Sequence, residues 1–319
     1  MLLLSILLFF KCGFLLNAHN STSPPIIFSK AEKIDQYTTR IPFKLVDHLI
    51  VVNAEIYNQK GNFIIDTGSE SMILNEVHFP KLYNQQNVSI HATGILQNVE
   101  NNYQKRIKTF ILENFSLENK TAHIINLSAI EKSKKVKILG IIGYNILKDY
   151  EVFIDMYLNQ ITLTKVDSFG NKMNKHLYLE KISDSIPFKL KGHTITVKGT
   201  INHEDATFGI DSAAEFNQIN KRISKKALKY FIPKNRLKLS GIGGKKIEVL
   251  AGKLHRVKLS ESTYFGPMVT VLTNLNKINE AFGVSLDGIL GYEFFAQKRT
   301  IINYQKEQLS FIDFPILFH

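Results

Sequence analysis

Cysteine is nearly absent from this chain: Cys12 is the only one among 319 residues. It lies in an apolar N-terminal stretch, MLLLSILLFFKCGFLLNA, which reads as a secretory signal over residues 1–18 with cleavage after Ala18. The mature chain then has no disulfide, no thiol nucleophile and no Cys-based metal site. Long apolar runs are missing too. Lys11 interrupts the N-terminal stretch, and no later segment is long enough to span a bilayer. None of the ten histidines sits in an HExxH or other paired-ligand spacing, so no metal is expected. A Gly-x-Ser-x-Gly elbow and a phosphate-binding loop are also lacking. The net charge is +12, but the lysines are scattered, with short clusters at Lys132–Lys137 and Lys221–Lys229. Without an aromatic-interleaved basic stripe, this charge reads as a solvated surface and not as a nucleic-acid site. Export without disulfides points to a bacterial envelope, with a periplasmic or extracellular destination.

What the chain does contain is a repeat. IPFKL at residues 41–45 recurs at 186–190, and over 41–75 against 186–220 there are 14 identities in 35 ungapped positions. At this offset of 145, His48 matches His193, Asp66 matches Asp211, and Glu70 matches Glu215. A second block, GIIGYNIL from residue 140, recurs as GILGYEFF from residue 288, at an offset of 148. A period of this size predicts a duplicated domain. The expected division is a linker over 19–40, one lobe over 41–167, a second linker over 168–185 and another lobe over 186–319.

The texture within each unit is β. Alternating apolar residues in VVNAEIYNQKGNFIID predict a hairpin that turns at Lys60-Gly61-Asn62. HTITVKGTINHEDATFGID repeats that pattern. Short helices are predicted after each Asp, in SESMILNEVHF and KRISKKALKYF.

Each unit also ends a buried-looking strand on an acid: Asp66-Thr67-Gly68-Ser69 in the first and Asp211-Ser212-Ala213-Ala214 in the second. Further along come two apolar residues and a glycine, Ile141-Ile142-Gly143 and Ile289-Leu290-Gly291. A single Asp-Thr-Gly is weak, because Asp and Gly also make ordinary turns. Both elements, duplicated in order over almost the whole mature chain, resemble the aspartic peptidases of the retropepsin and pepsin type, in the form of tandem retropepsin-like lobes.

That resemblance implies a mainly β fold of two barrel lobes related by a pseudo-twofold axis, acting as a monomer on peptides or proteins without a cofactor. It implies that Asp66 and Asp211 share one proton and hold one water between them. Two close carboxylates cannot both ionise cheaply, so the pair supplies an acid and a base together. Thr67 and Ser212 would bond across to the opposite lobe, and Gly143 and Gly291 would pack beneath the Asp turns. Substrate-covering flaps fall at Gly94 in ATGILQN and at Gly241, Gly243 and Gly244 in SGIGGKK.

The second motif departs from the family at Ala213, where glycine is usual. If the backbone there needs φ > 0, alanine costs about 1 kcal/mol, and its methyl would face the substrate. Three readings follow: an active endopeptidase, an impaired pseudoprotease that binds peptides in the same cleft, or an enzyme in which only the first lobe is competent and works by homodimerisation. The Ser69 hydroxyl, if it donates to Asp66, would favour its charged form and leave the shared proton mainly on Asp211.

Overall fold

The computed structural model describes residues 2–3, 9–10, 26–80, 90–93, 98–113, 115–174, 180–240 and 246–315. Strands account for 52% of the chain and helices for 12%, so the fold is mainly β.

Six strands of the first half close into a barrel. Going round the ring, Leu49–Ile56 pairs with Gln59–Ile65, then come Gly140–Ile142, Met72–Asn75, Phe115–Ile125 and Asn98–Leu112. The last of these returns to Leu49–Ile56 through Phe110 opposite Ile56. Phe63, Ile65, Leu74, Phe110 and Ile124 fill its interior, as the two-residue alternation of each strand requires.

The second half uses the same pairings. Phe63, Ile64 and Ile65 lie in parallel register beside Gly140, Ile141 and Ile142. Phe208, Gly209 and Ile210 lie likewise beside Gly288, Ile289 and Leu290. Among the described residues, however, the second ring stays open. Its first strand, Thr194–Ile201, pairs outward with Val257–Lys258, and at the far end Phe231–Ser240 pairs outward with Phe9–Phe10. The described residues thus repeat the strand pairings of the first half without closing a second barrel.

Two local expectations are corrected. The hairpin turns at Tyr57-Asn58, not at Lys60-Gly61-Asn62. Both residues have positive φ (49° and 59°), which suits a tight hairpin turn. Asn202-His203 does the same in the second half, at 49° and 67°. The helix expected in SESMILNEVHF is the strand Met72–Asn75 followed by a 3-10 turn at Glu76–His78, and the one expected in KRISKKALKYF is irregular apart from a single 3-10 turn at Ala227–Tyr230. Met72–Asn75 is hydrogen-bonded on both sides, to Phe115–Ile125 and Gly140–Ile142, and wholly buried. Two-sided pairing overrides the helical spacing of its apolar residues.

The halves meet in a seven-stranded sheet that carries Thr38–Pro42, Gln160–Lys165, Tyr150–Asp155, Arg299–Asn303, Gln308–Ile312 and Asp184–Pro187. At its centre Tyr150–Asp155 pairs with Arg299–Asn303, with Phe153 opposite Ile301. Arg299 is 1% exposed and bonds Asp155 Oδ2 at 3.0 Å through Nε and at 2.6 Å through Nη2. Asp155 is fully buried, so this ion pair staples the two halves.

Candidate active site

The strands Gln59–Ile65 and Glu204–Ile210 stop side by side, and the acids that follow them are brought together. The Asp66 N–H donates to Ile142 O at 3.0 Å, and the Asp211 N–H donates to Leu290 O at 3.0 Å. Each apolar-apolar-Gly element thus braces one acid. Asp66 is 0% and Asp211 4% exposed, and the two carboxyl groups lie close enough for Asp211 to perturb Asp66 directly.

Threonine and serine lock this arrangement. The Thr67 hydroxyl donates to Ile210 O at 3.3 Å and accepts from the Ser212 N–H at 2.9 Å. The Ser212 hydroxyl donates to Ile65 O at 2.9 Å and accepts from the Thr67 N–H at 3.0 Å. Each hydroxyl therefore ties the loop of one half to the strand end of the other, and all four bonds are buried. Buried backbone groups must find such partners, so the lattice satisfies the chain while fixing the acids.

The backbone next reaches each carboxylate. The Gly68 N–H donates to Asp66 Oδ1 at 2.9 Å, and the Ala213 N–H donates to Asp211 Oδ1 at 2.9 Å. Gly143 passes so close below the first loop that a Cβ there would sit 2.6 Å from Ser71 O and 2.7 Å from Ser69 O. Gly291 is tighter still, 2.1 Å from Ala214 O. Only glycine fits these two positions.

Burial raises the pKa of Asp66 well above the ordinary carboxylate value, and the Asp211 charge raises it further. The N–H groups of Gly68 and Ser69 oppose both effects without reversing them. One proton is therefore retained across the pair well above the usual carboxylate range. Ser69 does not bias this proton towards Asp211 as expected, because its hydroxyl donates to Ser71 O at 3.0 Å and not to Asp66.

Ala213 is also relocated. Its φ is not positive, so alanine carries no conformational cost. Its side chain is fully buried in an apolar cluster with Leu49, Ile64, Ile73 and Ile141 of the first half. Gly68, at the matched position, has no such room: a Cβ there would lie 2.8 Å from the Asp211 carboxyl carbon. Gly94, Gly241, Gly243 and Gly244, the flap candidates, lie outside the described residues.

Several residues around the site were not singled out from the sequence. His48 and His193 read there as a repeated surface or strand position. The His48 ring instead stacks on Tyr292, with centroids 4.1 Å apart, and its Nδ1 lies 3.2 Å from Glu215 O. His193 is 3% exposed, and burial lowers its pKa to about 4 against a bond to the Gly68 backbone. The match of these histidines across the repeat was the available signal. Asn145 donates to Thr121 O and accepts from the Met72 N–H, both within 2.8 Å, pinning the strand after the first acid.

Residues 50–155 match the family model of the retroviral aspartyl protease. The matched segment contains Asp66, Thr67, Gly68 and Gly143, and it supports an aspartic peptidase of the retropepsin clan. No curated protein matches the chain.

Proposed function

We propose that this chain, with its retropepsin-like domain, is an exported aspartic endopeptidase that hydrolyses peptide bonds with Asp66 and Asp211. The observation that carries the reading is the buried lattice of Thr67 and Ser212, which brings one carboxyl group from each half together. In the reaction, the ionised member of the pair takes a proton from a water lying between them as that water attacks the peptide carbonyl. The protonated member donates to the carbonyl oxygen, giving a tetrahedral diol. Breakdown returns a proton to the leaving amine and restores the singly protonated pair.

Both acids belong to one chain, which supports a monomeric enzyme of two lobes descended from one unit. The recurring registers, at offsets of 145 and 148 for the two paired strands, support the same view. The burial of Ala213 supports catalysis over a role in peptide binding alone, since the alanine needs no positive φ and lies in an apolar cluster. The apolar N-terminal stretch supports export.

The test is hydrolysis of a mixed peptide library by the purified protein over acid to neutral pH, with Asp66→Asn as the blank. Cleavage products from the parent alone are expected. Equal product from the parent and the blank, or none from either, would overturn the reading.

A further inference from the structure

The two halves differ sharply in how each Asp loop is held from outside. Glu215 lies four residues after Asp211 and is 2% exposed. Its Oε1 is 2.6 Å from Lys134 Nζ, and the Lys134 side chain is completely buried. Lys134 closes the first-half helix Ser128–Lys134, so this ion pair runs between the halves. The same glutamate is gripped through its backbone, since Glu215 O lies 3.2 Å from His48 Nδ1. Asp47, next to His48, reaches Lys134 Nζ at 3.4 Å from the solvent side. Three first-half residues thus converge on the segment that carries Asp211.

The residue types at the matched positions of the other half differ. The matched positions are Gly192 for Asp47, His193 for His48, Glu70 for Glu215 and Phe282 for Lys134. Phe282 closes the helix Asn276–Phe282 and meets the His193 ring edge-on, with centroids 5.6 Å apart. An apolar contact therefore stands where the first half supplies an ammonium group.

We infer that Lys134 is a positioning residue for the reaction proposed above, holding the Asp211 loop in register with Asp66 through its buried bond to Glu215. The proposal rests on that reading of the dyad. A buried ion pair is poor evidence for net stability, because desolvation of the two charges offsets their attraction. The 2.6 Å contact between two buried charged groups nevertheless ties this loop to the end of the first-half helix, where the other half has only the ring contact of Phe282 on His193. Lys134 itself touches neither substrate nor the reacting carboxyl groups. It acts through Glu215, and the effect belongs to the orientation of Asp211.

The experiment compares the parent, Lys134→Met, Glu215→Gln and the double variant Lys134→Met/Glu215→Gln, with Lys134→Arg as the conservative control and Asp66→Asn as the blank. Thermal unfolding and the cleavage parameters kcat and KM are measured for each. Lys134→Met leaves a buried carboxylate unpaired and is expected to lose stability; the double variant removes both charges and is expected to regain it. If Lys134 positions the loop, kcat of the double variant stays at least tenfold below the parent with KM changed less than threefold, while Lys134→Arg recovers most of the rate. A double variant that recovers kcat along with stability would overturn the proposal, because the pair would then act on folding alone. The double variant decides this even if Lys134→Met does not fold. A parent no more active than Asp66→Asn would instead overturn the dyad itself, so the two failures are distinguishable.

Discussion

Replacing Thr67 by valine removes one hydroxyl and almost no volume, so it isolates the hydrogen bonds that join the two loops. The parent hydroxyl accepts from the Ser212 N–H at 2.9 Å and donates to Ile210 O at 3.3 Å. Thr67 is fully buried and Ser212 1% exposed, so water cannot replace either bond. Each orphaned buried group costs about 1–3 kcal/mol. The longer bond belongs at the lower end of that range, and the added methyl contributes a small offset. The expected loss for Thr67→Val is therefore about 2–4 kcal/mol. Thr67→Ser keeps the hydroxyl and should stay within about 1 kcal/mol. The double variant with Ser212→Ala should lose less than the sum of the two single losses, because both hydroxyls serve one network. The chain has no tryptophan, so urea unfolding is best followed by far-ultraviolet circular dichroism. A Thr67→Val protein within about 0.5 kcal/mol of the parent would refute the claim that this lattice holds the halves together.

Other perturbations follow from the same packing. Asp66→Asn should stabilise the protein at neutral pH and leave it unchanged at strong acid. Below the ordinary carboxylate value of 3.8, Asp66 is protonated in both states, so its contribution is intact. Above it the unfolded chain releases the proton while the fold, whose pKa is raised, retains it, so parent stability falls with rising pH until the folded value is passed. Thermal scans of both proteins from about pH 3 to pH 8 check this, and an unchanged difference across the range would contradict it. Arg299→Met leaves Asp155 buried without its cation and should cost about 3–5 kcal/mol in urea unfolding. Gly143→Ala places a methyl 2.6 Å from Ser71 O and should cost more than about 1–3 kcal/mol, because backbone cannot give way as a side chain can; Gly283→Ala, with φ of 59° and open space around it, should cost only about 1 kcal/mol. Equal stability losses for the two alanines would refute this view of the packing.

The strand order and the meeting of Asp66 with Asp211 were legible because both rest on a repeated local pattern. Phe63–Ile65 and Phe208–Ile210 each end in an acid, and the matched glycine elements fit beside them in parallel register. Turn positions were less legible. Gly61 is the ordinary turn residue of that segment, yet it lies in a strand against Leu139, and Tyr57-Asn58 adopt the left-handed conformation instead. The strand Met72–Asn75 was hidden for a different reason, since only pairing partners far along the chain decide between strand and helix there. The place of Ala213 was hidden because its cost depends on which side of the loop is empty, and the first half fills that side with Ile64 and Ile141. The grip of Lys134 on Glu215 joins residues that no motif connects, and Lys134 reads in the sequence only as part of a basic cluster.

The central claim is that one carboxyl group from each half acts on the same water. Its most direct measurement is peptide cleavage by Asp211→Asn, set beside the parent and Asp66→Asn, with each protein shown to be folded by circular dichroism. Both single variants should lose activity by about a thousandfold or more, since a lone carboxyl group cannot be acid and base at once. An Asp211→Asn protein that cleaves at the parent rate while Asp66→Asn is inactive would contradict the account.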